Sequence, residues 1–157
     1  MTDEDTVPRL LAQHRYLVLG TADPSGGPWV SPVFYAADGV RRVVWVSSPD
    51  SRHSRNIAAR PTVAITIFDT NAPIGRAEAL YLEATAGVLD DHACPAALEL
   101  LNARLPTAAR LGPDDIGPAG PMRVYQADIT QHYVLIRGGD PRFDNVTDAR
   151  LAVRPAD

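Results

Sequence analysis

The chain predicts a mainly β fold, a β-barrel or a sandwich with a few helices. Three observations carry this. Six apolar runs are rich in β-branched and aromatic residues, tight polar turns join the first three, and only three short segments carry helix signals. At 157 residues the chain fits one domain spanning 1–157 and can bury a real core. Its 45% hydrophobic and 22% charged residues are ordinary for a globular protein.

Residues 7–14, VPRLLAQH, read as a short helix with Pro8 in its first turn, where a missing N–H costs nothing. YLVLGTA (16–22) is a strand and DPSGG a turn. WVSPVFYA (29–36) and RVVWVSS (42–48) continue an antiparallel meander around a second turn at ADG. Pro32 cannot donate to a ladder, so its strand lies at an edge or is bulged. A helix over 51–59 stops before Pro61. In TVAITIF (62–68), Val63, Ile65 and Ile67 share a face. In ALYLEATAGVL (79–89), so do Leu80, Leu82, Ala84 and Ala86. Residues 92–105 form a helix with Cys94, Leu98, Leu101 and Leu105 on one side and Pro95 in the first turn. MRVYQADITQHYVLI (122–136) is the last strand, with Tyr125, Ala127, Ile129 and Tyr133 on one face. The tail after Arg137 is polar and expected to be loose.

Composition excludes several chemistries. All 15 residues counted as Lys+Arg are arginines. A lysine Schiff base and a Walker-type phosphate loop are therefore impossible. Cys94 is the only cysteine, which rules out an intrachain disulfide and a cysteine-cluster metal site. His14, His92 and His132 show no ligand spacing. A net charge of -4 argues against a nucleic-acid partner. No apolar run approaches the roughly 20 residues that span a bilayer. The acidic start, MTDEDTVPRLL, has no secretory pattern, so a cytoplasmic protein is expected.

The strongest local signal is SSPDSRHSRNIAARP, residues 47–61. Helix N-termini are already electropositive and favour acidic residues, yet Arg52, His53 and Arg55 gather here. That pattern suits a bound anion, a phosphate above all, with Ser51 capping the helix. Trp29 and Trp45 read as core or interface residues. Neither a Gly-x-Ser-x-Gly elbow nor a dinucleotide-binding glycine fingerprint occurs.

The order of these pieces resembles the pyridoxamine 5'-phosphate oxidase-like family of flavin-binding split barrels. The resemblance is carried by GPWVSPVFYAADG, VVWVSSPDSRHSRNIAARPTVAI and ALYLEATAGVL, the middle stretch being the most specific. It implies a split β-barrel that holds FMN at a homodimer interface. It also implies phosphate contacts from Ser51, Arg52 and His53, and ribityl and ring contacts from Val46, Ser47 and Ser48. Ser31, Pro32, Val33 and Phe34 would run beside the isoalloxazine edge. Arg55 and Asn56 would reach a phosphate of a longer deazaflavin coenzyme. Ser31, Ala36, His53 and Ala79 stand where the family's oxidases commonly have arginine, lysine, lysine and glutamine. The resemblance therefore implies the fold and cofactor class rather than vitamin oxidation. The resulting expectation is a homodimeric flavin-dependent oxidoreductase passing hydride to or from a small molecule, with no nucleic-acid or membrane partner. The alternatives are a deazaflavin-dependent reductase and a non-catalytic flavin or haem binder.

Overall fold

A computed structural model describes residues 3–156. Helix α1 (Asp3–Gln13) precedes strands β1 (Tyr16–Ala22), β2 (Pro28–Phe34), β3 (Ala36–Asp38) and β4 (Arg42–Ser47). Helix α2 (Arg52–Ala59), β5 (Thr62–Phe68) and β6 (Ala79–Val88) follow. Helix α3 (Cys94–Asn102), β7 (Arg123–Ile136) and β8 (Ala149–Val153) complete the order. The sheet runs β2-β1-β5-β6-β7-β4-β3, with β8 also on β7, and every pairing between these strands is antiparallel.

One run of sequence closes this sheet on itself. The segment read as a single strand over 29–36 is two strands lying on opposite edges, β2 beside β1 and β3 beside β4. They part at Tyr35, whose backbone N–H donates to the Arg15 carbonyl at 3.2 Å, one step beyond the last β1–β2 pair and in the same register. With both edges joined through one residue, the sheet must curl. Its inner face becomes one core, from Leu17 and Leu19 through Ile65, Leu82 and Ala127 to Trp45. Val7, Leu10 and Leu11, at helical spacing, bring α1 onto that core. Pro8 is in the middle of this helix rather than its first turn, because α1 begins four residues earlier than the apolar pattern does. Acidic residues carry no such pattern, but they suit a helix start.

Two expectations about the last strands are corrected. Between Glu83 and Ala84 the register on β7 slips, leaving Thr130 as an extra residue. A one-residue bulge reverses the facing of everything beyond it. Thus Ala127 and Ile129 are buried, but His132, Val134 and Ile136 then take the inner positions in place of Tyr133. The buried His132 ring nitrogen Nε2 lies 2.6 Å from the Val40 carbonyl. The tail is not loose throughout: Ala149–Val153 pairs with His132–Ile136, and Val153 enters the core. Helix α3 stops at Asn102, short of Leu105, and lays Ala97 and Leu101 over Val44 and Val124 on the outer side of the sheet. Among the described residues, no helix is long and apolar enough to cross a membrane.

The seam at Tyr35 is held from three directions. Its phenol donates to the Leu11 carbonyl at 2.8 Å. Arg104, just beyond α3, donates Nη1 to the Tyr35 carbonyl at 2.7 Å and Nη2 to the carbonyls of His14 and Ala12. A cation at the carbonyl end of α1 is also favoured by the helix dipole. Burial pushes the Tyr35 phenol up to about 12, against the pull of Arg104. Replacing Arg104 with alanine strands several carbonyls. Urea unfolding of Arg104→Ala is expected to show a loss of about 1.5–3 kcal/mol, the usual range for hydrogen bonds to a charged group. Arg104→Lys should recover only part, since an ammonium cannot span the same fork.

Candidate functional site

The corner between β4 and α2 follows from local chemistry. After Ser47 the chain turns through Pro49 and Asp50, and Ser51 adopts extended geometry at the helix cap. The Ser51 hydroxyl accepts from the Ser54 N–H at 3.3 Å and donates to the Ser54 hydroxyl at 2.7 Å. The helix is anchored on its inner side. Ile57 enters the core, and Asn56 donates Nδ2 to the buried Thr21 hydroxyl of β1 at 3.0 Å. Its outer start carries Arg52 and Arg55, with no acidic residue in the first turn.

The three basic groups differ in what already holds them. Arg55 donates Nη1 to the Asp50 carbonyl at 2.6 Å, bracing the turn. His53 is half-buried, with Nε2 2.8 Å from the Ser47 hydroxyl, and burial lowers its pKa. It is therefore a neutral hydrogen-bonding group at neutral pH. Arg52 places its guanidinium carbon 4.2 Å from the Trp29 ring centroid. Among the described residues, no hydrogen bond or ion pair engages it. Asp23 feels its charge, but that carboxylate already accepts from Ser25 and Gly27 in its own turn.

The predicted residues do not all face the same way. Ser47, Ser48, Ser51, Arg52 and His53 share one corner. Strand β2 lies near both α2 and β4, and Trp29 is the β2 side chain that meets the corner. Within β2, Ser31 and Val33 point inward and are buried, Pro32 is exposed, and Phe34 is half-buried edge-on to Tyr16. Val46 leans toward the cluster under α3. Pro32 lies on an edge strand in unbroken register, with no bulge. Arg55 and Asn56 each have one donor already engaged, by the Asp50 carbonyl and the Thr21 hydroxyl. Trp29 was legible only as a core or interface residue. Its place at the corner depends on β2 being an edge, which no local pattern announces. Trp45, by contrast, is fully buried and stacked on Tyr125 at 5.8 Å.

On the outer face, a groove of about 560 Å³ runs from Trp29 and Val30 across Ala64 toward Glu83. Gly20 lets the strands approach at its floor, since a Cβ there would meet the Ala64 carbonyl oxygen at 3.2 Å. Val30 is 65% exposed, so this face is apolar and open to solvent.

These features fall within a known family. The pyridoxamine 5'-phosphate oxidase family model matches residues 4–134, and the chain belongs to that family. Its curled antiparallel sheet is a split β-barrel. Similar solved structures include HutZ, the heme storage protein from Vibrio cholerae, with TM-score 0.67 and 19% identity over 85% of this chain and 95% of that one. An FAD-binding protein from Mesorhizobium loti gives TM-score 0.64 and 18% identity over 85% and 94%. An F420 reductase gives TM-score 0.58 and 24% identity over 79% and 93%. No curated protein gives a significant match.

The buried setting of His53 has a consequence for acid stability. With its pKa lowered, the folded protein takes up that proton less readily than the unfolded chain does. Its contribution is thus intact above the unfolded value near 6.5 and is lost as pH falls through the lower folded value. Urea unfolding between about pH 7 and 5 should show stability falling with acid, and His53→Gln should flatten part of that slope. His132, also lowered by burial, keeps the remainder. An unchanged slope in His53→Gln would refute the assignment.

Proposed function

We propose that the protein binds FMN at a homodimer interface and acts as a flavin-dependent oxidoreductase on a small molecule. The observation that carries this reading is the unengaged Arg52 guanidinium at a helix start that offers only donors and hydroxyls. That donor set fits a phosphate monoester: charged N–H groups, free backbone N–H groups and serine hydroxyls, with no carboxylate in the first turn. Arg52 would grip the phosphate, with His53, Ser47 and Ser51 around it. Strand β2 has no strand on its outer edge, so backbone groups near Ser31–Phe34 are free to meet the rim of a heterocycle. A flavin bound there would supply the group that accepts or gives up a hydride, while the chain binds, orients and shields it. The apolar face at Val30 and the outer groove is the surface proposed to receive a second copy.

A deazaflavin coenzyme is the second reading, supported by the neutral His53, a weak phosphate partner, and by the likeness to an F420 reductase. The visible spectrum of the purified protein, with mass spectrometry of the released ligand, separates flavin, deazaflavin and haem.

For FMN the expected result is specific. Arg52→Ala should weaken FMN binding roughly 10- to 150-fold, the equivalent of a lost charge-assisted bond, and leave riboflavin binding unchanged. Titration of apo-protein with both ligands measures this, and equal FMN affinity in the variant rejects the phosphate reading. Light scattering should give a dimer at micromolar concentration. A flavin-loaded monomer would reject the interface.

A further inference from the structure

We propose that Trp29 is a positioning residue, whose ring fixes the guanidinium of Arg52 so that its edge is presented to the phosphate. This rests on the phosphate reading above and adds a residue to it. Arg52 is exposed on the first turn of α2, where a long side chain samples many rotamers and loses that freedom on binding. Its guanidinium carbon lies 4.2 Å from the centroid of the Trp29 ring. A contact with a π face occupies no hydrogen-bond acceptor, and with no hydrogen bond on the guanidinium among the described residues its N–H donors remain available for a bidentate contact.

The neighbourhood supports a prepared arginine rather than a satisfied one. Asp23 feels the Arg52 charge, but its Oδ1 accepts from Ser25 and Gly27 and the carboxylate forms no ion pair with Arg52. Asp50 at the turn has its carbonyl taken by Arg55. Trp29 itself is 41% exposed on an edge strand, a position where a large aromatic ring gains little from burial. Its indole is also placed by β2, while Arg52 is placed by α2. The stack therefore ties the strand beside the proposed ring site to the helix beside the proposed phosphate site.

The test is a double-mutant cycle read with two ligands, FMN and riboflavin, on apo-protein. Trp29→Leu should weaken FMN about 2- to 5-fold, the worth of an exposed cation–π contact, while riboflavin affinity stays constant. Trp29→Phe should retain most of the wild-type FMN affinity. In an Arg52→Ala background, Trp29→Leu should have no further effect, since the group it positions is gone. An unchanged FMN affinity in Trp29→Leu overturns the proposal, and so does an equal loss for riboflavin, which would put the ring against the flavin or the partner copy. A loss that persists without Arg52 overturns it as well. If Arg52→Ala itself spares FMN, the phosphate reading has failed, a result distinct from failure at Trp29 alone.

Discussion

The fold depends on one residue belonging to both edges of a sheet. Tyr35 lies between the strand on β1 and the strand on β4, and its own N–H makes the last bond toward β1, to the Arg15 carbonyl. An open sheet would leave two exposed edges, a standing invitation to aggregation. Here the two edge strands are consecutive in sequence, so chain connectivity brings them to one seam once Tyr35 is fixed, while the outer edge of β2 stays unpaired. The fixing is polar and buried: a phenol on the end of α1, and an arginine gathering the carbonyls of Tyr35 and of the α1 terminus. Without that arginine several carbonyls would be left without partners at a place where the core is closed.

The same closure makes the candidate site. Because β2 folds back toward β4, the indole on one strand meets the guanidinium on the helix after the other. The electrostatics are unfavourable by design of the sequence: two arginines sit at the positive end of a helix with no acidic residue in its first turn. Local contacts offset this only in part. Arg55 is bonded to a carbonyl, His53 gives up its charge by burial, and Arg52 rests on a π face. An anion would complete the arrangement.

Much of this was legible in the sequence, and the losses have physical causes. The periodicity of Val63, Ile65 and Ile67 marked the strand Thr62–Phe68, and Ser51 marked the cap of α2. The barrel was not separable from a sandwich by pattern, because both need the same alternation; the choice lies in Tyr35, whose sequence signal is that of any strand residue. Tyr133 was assigned to the wrong face because the extra residue at Thr130 has no composition mark. Strand β8 was missed since only Leu151 and Val153 of ARLAV turn toward the protein. At the site, residue types spoke for an anion. What they could not show was which cations were already engaged.

The position of β4 in the sheet has a consequence for how the protein assembles. Its partners are the three-residue β3 and the distant β7, the latter joined from Ser47 to Arg123 and from Arg42 to Asp128. The β1–β2 hairpin can form from neighbouring sequence, but pairing β4 with β7 requires closing a loop of most of the chain, an entropically slow step. During synthesis, therefore, residues 42–56 emerge early and wait. Strand β4, which leads into the corner at Ser47, gains its ladder only after the strand encoded some seventy residues later has docked.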